Sequence, residues 1–428
     1  MYFVLERELF LQYNIIWFRK YCSTKYKIHG LKKNEIERII VMLYRTIGKT
    51  GVQVSILGFG LMRLPVIDGN SAKIDEKKAT EMLRYAIDRG VNYVDTAYPY
   101  HRDSMTKSGE SEPFTARALR DGYREKVYLA TKMPCWLVKK KEDLTRYLNE
   151  QLNRLETDHI DFYLLHNLNK GNWEAMKKVN VFEFLDKAIA SGKIKYAGFS
   201  FHDEISLFKK IIDSYDWSFS QIQYNFLDEN FQAGKEGLLY AAKKNLGIIV
   251  MEPLRGGKIV NLLPERALKI MEQGATEKSI VELALKWIWK HPEVSTVLSG
   301  MSEKQHVIDN INYAEQEEIT HLSDFDISLI KDMKKVFRDR IKVNCTSCEY
   351  CMPCPVGVNI PKVFSYYNNY FLFDSDSHRK NVKSMYNSQL NDDEKASNCT
   401  DCGECEKKCP QNLSIRKELK KAKTLFED

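Results

Sequence analysis

Eight short runs rich in β-branched and aromatic residues recur between positions 54 and 300, each separated from the next by a longer amphipathic stretch. They are VSILGFG (54–60), YVDTA (93–97), VYLATK (127–132), DFYLLH (161–166), KYAGFS (195–200), FSQIQYN (219–225), GIIVMEP (247–253) and STVLSG (295–300). Strand patterns alternating with helix patterns are the mark of parallel βα units, because parallel neighbours need a crossover long enough to hold a helix. The intervening stretches predict helices over 76–89, 140–155, 181–191, 204–213, 235–245, 276–290 and 302–315. Arg89-Gly90, Ser191-Gly192 and Leu246-Gly247 each put glycine where a left-handed helix end is expected. Eight such units in roughly 250 residues predict an α/β fold, a (β/α)8 TIM barrel. A doubly wound open sheet is the competing fold, but no GxGxxG follows the first strand.

The cysteines set a second constraint. Of ten in 428 residues, Cys22 and Cys135 stand alone and the other eight lie beyond residue 344 in two tight runs. An enzyme-sized chain has no need of disulfide staples, so this is ligand spacing. The first run is Cys345, Cys348, Cys351 and Cys354, followed by Pro355; the second is Cys399, Cys402, Cys405 and Cys409, followed by Pro410. The second has the bacterial ferredoxin spacing, and the first is one residue shorter before its Cys-Pro. Four-thiolate zinc is the competing reading, but zinc thiolates usually come as separated pairs. Two [4Fe–4S] clusters are expected, with a single cluster as the alternative. If the fourth cysteine of each run serves the other cluster, Cys345, Cys348, Cys351 and Cys409 hold one and Cys399, Cys402, Cys405 and Cys354 hold the second. PKVFSYYNNYF (361–371) and the stretch 379–391 predict helices between the runs, so the module is expected to be mainly helical and ferredoxin-like. A helix over 327–340 would lead into it.

Charge excludes some function classes. The formal net charge is +7, and residues 1–41 supply +4 of it from eight Lys/Arg against four Asp/Glu. The remainder is nearly balanced and offers no basic groove for a nucleic acid. Leu9 to Phe18, the longest uncharged stretch near the start, is about half the ~20 residues that span a bilayer. No membrane span or secretory signal is expected, and the cytoplasm is the default compartment. Residues 1–41 show no sustained period and read as a leader or a mis-assigned start before Met42, where Glu37-Arg38 can be encoded as a ribosome-binding sequence. A membrane-surface arm is the alternative. Residues 42–343 would form the barrel and 344–428 the cluster module.

In a barrel, chemistry collects where strands end. Asp95 ends the second strand, Lys132 the third, His166 the fourth and Ser200 the fifth; Gln221 and Asn225 lie in the sixth and Glu252 near the end of the seventh. These segments, VDTAYPY (94–100), LATK (129–132), DFYLLH (161–166), AGFS (197–200) and QIQYN (221–225), resemble the aldo-keto reductases over about residues 44–315. With the cysteine runs, the chain resembles the bacterial and archaeal branch that carries a fused C-terminal ferredoxin-type 4Fe-4S domain. The resemblance implies a catalytic tetrad of Asp95, Tyr100, Lys132 and His166, with Tyr98 a rival at the wrong offset. A carbonyl reduction needs a proton at oxygen, and a phenol near pKa ~10 is a reluctant acid. A buried Lys132 beside Tyr100 is expected to lower that value, Asp95 to hold Lys132, and His166 to orient the substrate oxygen.

The resemblance further implies NADP(H) or NAD(H) as cofactor. Ser200 and Gln221 would hold the carboxamide, and Pro253, Leu254, Arg255, Gly256 and Gly257 would run along the diphosphate. Ser299, Gly300, Lys304, His306 and Asn310 would complete the nucleotide site, with Ser302 and Gln305 expected to form a capping box at the helix start. Three positions depart from the family pattern. Met251 replaces the aromatic residue that stacks on nicotinamide, Phe201 replaces an asparagine, and Gly300 and His306 fall where basic residues grip the 2′-phosphate. Loops 99–112, 133–139, 167–181 and 225–234 would shape the substrate pocket, with Trp136, Trp173 and Phe226 as candidate walls.

The expected function is reduction of an aldehyde or ketone, or the reverse alcohol oxidation, by an oxidoreductase with a fused iron–sulfur module. Its partners would be a small carbonyl or alcohol substrate and a one-electron carrier protein. The alternative is an electron-transfer or redox-sensing protein whose barrel binds a nucleotide or partner without turnover.

Overall fold

The computed structural model describes residues 42–102, 107–274, 278–314, 322–345, 350–409 and 411–428. The leader 1–41, Cys348, Pro410 and the expected helix ends at Thr276 and Glu315 lie outside the described residues. Two short strands come first among the described residues, β1 (Tyr44–Thr46) and β2 (Gln53–Ser55), paired antiparallel. Eight parallel strands then close into a barrel: β3 (Leu57–Gly60), β4 (Tyr93–Asp95), β5 (Tyr128–Met133), β6 (Ile160–Leu168), β7 (Ile194–Phe201), β8 (Phe219–Gln223), β9 (Gly247–Met251) and β10 (Val294–Ser299). Each pairs with its sequence neighbours, and β10 pairs with β3 to complete the ring. The fold is a (β/α)8 TIM barrel followed by a mainly helical C-terminal region.

The first predicted strand is split. Gln53–Ser55 belongs to the hairpin and only Leu57–Gly60 enters the barrel. The hairpin plugs the barrel floor: Ile47 and Val54 are fully buried in one apolar cluster with Tyr93, Phe162, Phe219 and Ile249. This also corrects the role expected of Gly247. Gly90 and Gly192 take the left-handed conformation as expected, but after the helix Gly234–Lys243 that role falls to Asn245, with φ of 58°. Gly247 instead begins β9, where a Cβ would stand 2.2 Å from Ile47 Cγ2, so the plug and not a helix cap requires glycine there.

Outer helices follow the amphipathic stretches. Glu76–Asp88 buries Ala79, Met82, Leu83, Ala86 and Ile87 at helical spacing, and Asp75 caps it by accepting from Lys78 N. Ser111–Ala118, Lys170–Lys178 and Glu265–Gln273 are helices that the sequence pattern did not mark. Lys304–Tyr313 forms as expected, but without the capping box: Glu303 stands at the N-cap with no side-chain bond, and Gln305 Nε2 donates to Asp309 Oδ1 at 2.8 Å.

Asp324–Arg338 leads into the C-terminal helices Ile360–Phe371, Asp376–Gln389, Glu404–Lys408 and Ile415–Phe426. Val358, Ile360, Val363, Phe364, Val382, Tyr386, Leu419 and Phe426 form a core of their own. The turn after Ile360–Phe371 meets the barrel. Arg340 Nε donates to Phe371 O at 3.0 Å, Phe373 packs edge-on against Phe337, and Arg255 Cζ lies 5.9 Å from the Phe373 ring centre.

Candidate active site and cluster ligands

Parallel strands bring the ends of β4, β5 and β6 side by side, with Asp95 opposite Ala130 and Lys132 opposite Leu164 in register. Lys132 Nζ donates to Asp95 Oδ1 at 2.6 Å, to Oδ2 at 2.7 Å and to Thr96 O at 2.8 Å. Neither side chain meets solvent to any extent. Burial works against the ammonium, but Asp95 and Tyr100 outweigh it and hold Lys132 above its usual value.

Tyr100 stands in the turn after β4, with Lys132 Nζ 5.0 Å from its ring centre. The turn is fixed from beneath. Ser111 N donates to Tyr100 O and Gly109 N to Tyr98 O, and a Cβ on Gly109 would stand 1.8 Å from Tyr100 O, so only glycine fits against that carbonyl. Burial raises the Tyr100 phenol and Lys132 pulls it down, yet the net position is above the ordinary tyrosine value. The expected lowering is therefore present as a contribution but overridden by desolvation. Tyr100 is held as the phenol. The rival Tyr98 turns away, its hydroxyl donating to Glu150 at 2.9 Å and its ring edge-on to Tyr147.

His166 meets Tyr100 edge-on, ring centre to ring centre 6.0 Å, and the Trp136 ring centre lies 5.2 Å from it. Burial, then Lys132, His202 and Arg102, keep the imidazole well below its usual value, so it is neutral. Of the other candidate walls, Trp173 and Phe226 are buried in side-chain packing, the first against Phe182 and the second with Ile259 and Leu283.

Ser200 and Gln221 are register partners on β7 and β8. Ser200 Oγ accepts from Asn167 N at 2.8 Å, and Gln221 Nε2 donates to Met251 Sδ at 3.4 Å. Among the described residues, Gln221 Oε1, His166 Nδ1 and Trp136 Nε1 are buried without a hydrogen-bond partner. Orphaned polar atoms are costly in a folded interior, and three around one strand-end mouth fit a bound group with donors and acceptors of its own. A carboxamide could donate to Gln221 Oε1. Asn225 is committed elsewhere, accepting from Leu227 N and Asp228 N and donating to Asp228 Oδ2.

Pro253 and Leu254 lead from β9 into the loop of Arg255, Gly256 and Gly257, all three at positive φ. Arg255 Nε donates to Asp228 Oδ2 at 2.6 Å. On the next strand, Ser299 Oγ accepts from Asn310 Nδ2 at 2.8 Å, which ties β10 to its helix beside Gly300. Lys304 Nζ lies 5.5 Å from the Tyr85 ring centre, and His306 is exposed two residues along. Glu252 is marked by its place at a strand end, but no motif marks Arg63, Arg102 or His202 as neighbours of this mouth. They come from separate loops and share no motif.

In the C-terminal region, Cys345, Cys351, Cys354, Cys399, Cys405 and Cys409 pack half-buried against one apolar core, while Cys402 is exposed. Among the described residues, no three His, Cys, Asp or Glu side chains converge closely enough for a single metal ion. A sulfide-bridged cluster sets its thiolates further apart than a lone ion does, and an all-sulfur donor set matches its chemistry.

Residues 56–335 match the aldo/keto reductase family, and residues 344–414 match the 4Fe-4S dicluster domain. The chain belongs to the aldo/keto reductase family. It is 26% identical over 289 residues to L-galactose dehydrogenase of Arabidopsis thaliana, covering 62% of this chain and 86% of that protein. L-glyceraldehyde 3-phosphate reductase of Escherichia coli O157:H7 is 25% identical over 320 residues, 64% of this chain and 88% of the relative. Among solved structures, the holo form of an aldo-keto reductase from Bacillus halodurans superposes with a TM-score of 0.57 at 26% identity, covering 68% of this chain and 96% of the other. Among the described residues no helix is long and apolar enough to cross a membrane.

Proposed function

We propose that this protein is a cytoplasmic oxidoreductase that reduces an aldehyde or ketone, or oxidises the corresponding alcohol, at the mouth formed by β4, β5 and β6. The observation that carries the reading is the sealed Asp95–Lys132 pair set against the Tyr100 ring. Bound NADPH or NADH supplies the hydride. Neutral His166 hydrogen-bonds the carbonyl oxygen and fixes its angle, and Tyr100 gives that oxygen its proton. The charge left on the phenolate is stabilised by Lys132, which Asp95 keeps charged and immobile. Ser200 and Gln221 hold the carboxamide, and Trp136 walls the substrate side.

The eight clustered cysteines would hold two [4Fe–4S] clusters, Cys345, Cys348, Cys351 and Cys409 for one and Cys354, Cys399, Cys402 and Cys405 for the other. Such clusters pass one electron at a time, so a one-electron carrier protein is the partner this region implies. Exposed Cys402 marks the side where such a carrier would approach.

The test is anaerobic NADPH and NADH oxidation with a panel of aldehydes and ketones. L-galactose and L-glyceraldehyde 3-phosphate, the substrates by which the two relatives are known, put hydroxylated aldehydes at its head. Tyr100→Phe is expected to lower turnover by a factor of at least ~10² while leaving dinucleotide affinity in place. Unchanged turnover would overturn the tetrad. Cluster bleaching by nucleotide without any carbonyl turnover would favour the electron-transfer reading instead.

A further inference from the structure

Glu112 stands in the first turn of the helix Ser111–Ala118, fully buried. Its carboxylate gathers three donors: Thr131 Oγ1 reaches Oε1 at 2.6 Å, Gln151 Nε2 reaches Oε1 at 2.7 Å and Arg154 Nε reaches Oε2 at 2.9 Å. Burial raises the carboxyl above its usual value although all three donors oppose it. Burying an acid is costly, and two of the donors that surround this one have a second task.

Gln151 and Arg154 lie one turn apart on the helix Lys141–Arg154, so they share a face. Gln151 Nε2 also donates to Lys132 O at 3.0 Å, and Gln151 Oε1 accepts from the Tyr163 hydroxyl at 2.8 Å. Arg154 Nη2 donates to Gly109 O. Gly109 is the residue pressed against the Tyr100 carbonyl, and its own N–H donates to Tyr98 O. One carboxylate therefore orients two side chains, of which the first grips the backbone of Lys132 and the second the backbone of the Tyr100 turn.

These contacts lie behind the barrel wall. Side chains alternate along a strand, so Thr131 points away from the face that carries Lys132, and Tyr163 is its register partner on β6. Asp95 fixes the Lys132 ammonium from within, but it does not set how far that ammonium stands from Tyr100. The ladder between β4 and β5 ends where Thr96 N donates to Ala130 O, and the turn bearing Tyr100 then leaves the sheet. The 5.0 Å from Lys132 Nζ to the Tyr100 ring centre thus depends on a tie outside the sheet.

We propose that Glu112 is a positioning residue, which through Gln151 and Arg154 holds the Tyr100 turn at its working distance from Lys132. The inference rests on the carbonyl-reducing function proposed above. Glu112 acts through the two backbones and touches neither substrate nor cofactor.

The test is steady-state kinetics of the full chain, purified anaerobically, on the aldehyde and ketone panel with glyceraldehyde first. Glu112→Gln keeps the shape but turns an amide NH2 towards either Arg154 or the Thr131 and Gln151 donors. It is expected to lower kcat per folded molecule by about tenfold or more while KM and dinucleotide affinity hold. In the reverse direction, with glycerol and the oxidised dinucleotide, Tyr100 must be ionised to take the proton. The pH at which that rate rises should move upward as Lys132 loses its hold on the phenol. A merely structural role would lower the melting temperature and move neither readout. Arg154→Met serves should Glu112→Gln not fold, and Arg154→Lys should recover part of its loss. Because both act through one chain of contacts, the losses in Glu112→Gln and Arg154→Met should add to less than their sum. Unchanged kcat, or a loss confined to KM, beside an inactive Tyr100→Phe overturns the inference and leaves the tetrad standing. An active Tyr100→Phe, or a wild-type chain inactive on the whole panel, overturns the tetrad and the inference with it.

Discussion

Lys132 Nζ donates to both carboxylate oxygens of Asp95, with both side chains sealed from solvent. Removing one partner of such a pair strands a charge, whereas removing both strands none. Asp95→Asn is expected to cost about 3–5 kcal/mol in urea unfolding, and Asp95→Asn with Lys132→Met is expected to regain much of it. Turnover should be lost in both. A double variant no more stable than the single one would show that the pair is not the source of the loss.

Acid lability follows from the histidines. Burial is the leading reason that His101, His166, His202, His291 and His378 all sit below the usual histidine value. In the unfolded chain they take up protons near pH ~6.5, while in the folded chain they stay neutral at that pH. The unfolded state then binds more protons, so stability is complete above about pH 6.5 and is lost as pH falls below it. Denaturant midpoints should drop between about pH 7 and about pH 5.5, and His166→Gln should reduce the slope by close to one proton. An unchanged slope in that variant would show that His166 charges freely in the fold.

Phe373 joins the C-terminal region to the cofactor loop. It is fully buried, its ring centre 5.5 Å from Phe337, 5.0 Å from His378 and 5.9 Å from Arg255 Cζ. Phe373→Leu keeps an apolar side chain but loses the aromatic face, at an expected cost of about 1 kcal/mol. Hydrogen exchange at residues 253–258 should quicken. If only the C-terminal helices exchange faster, the contact does not brace the loop.

Cys345, Cys351, Cys354, Cys399, Cys405 and Cys409 are packed against the same core as Val363, Phe364, Tyr386 and Phe426. Oxidative removal of iron should therefore loosen residues 344–428 and spare the barrel. Hydrogen exchange would show protection falling in Ile360–Phe371 and Ile415–Phe426 and holding in β5 and β6. Uniform loss across both would mean that the two regions unfold as one.

Some of this was written in the chain order itself. Strand and helix periods followed one another eight times, which leaves few folds besides a barrel, and Asp95, Lys132 and His166 fell at strand ends because each motif is continuous in sequence. The cysteine spacing was equally local. Other features were not, and for one reason: they depend on groups brought together from distant segments. VSILGFG divided between hairpin and barrel because Ile47 and Val54 had a floor to plug. Asn245 took the left-handed turn expected of Gly247 because Gly247 had to clear Ile47. Desolvation, a property of the surroundings and not of residue type, kept Tyr100 above its ordinary value despite Lys132.

The sequence by itself determined the barrel, the order of its strand-end residues and the spacing of the clustered cysteines, since periodicity and spacing are carried within single segments. Only the tertiary structure decided which side chains share a space. Barrel closure sets β10 beside β3, and that contact lays Arg63 along Gly300 and Gly256, residues near the other end of the barrel sequence.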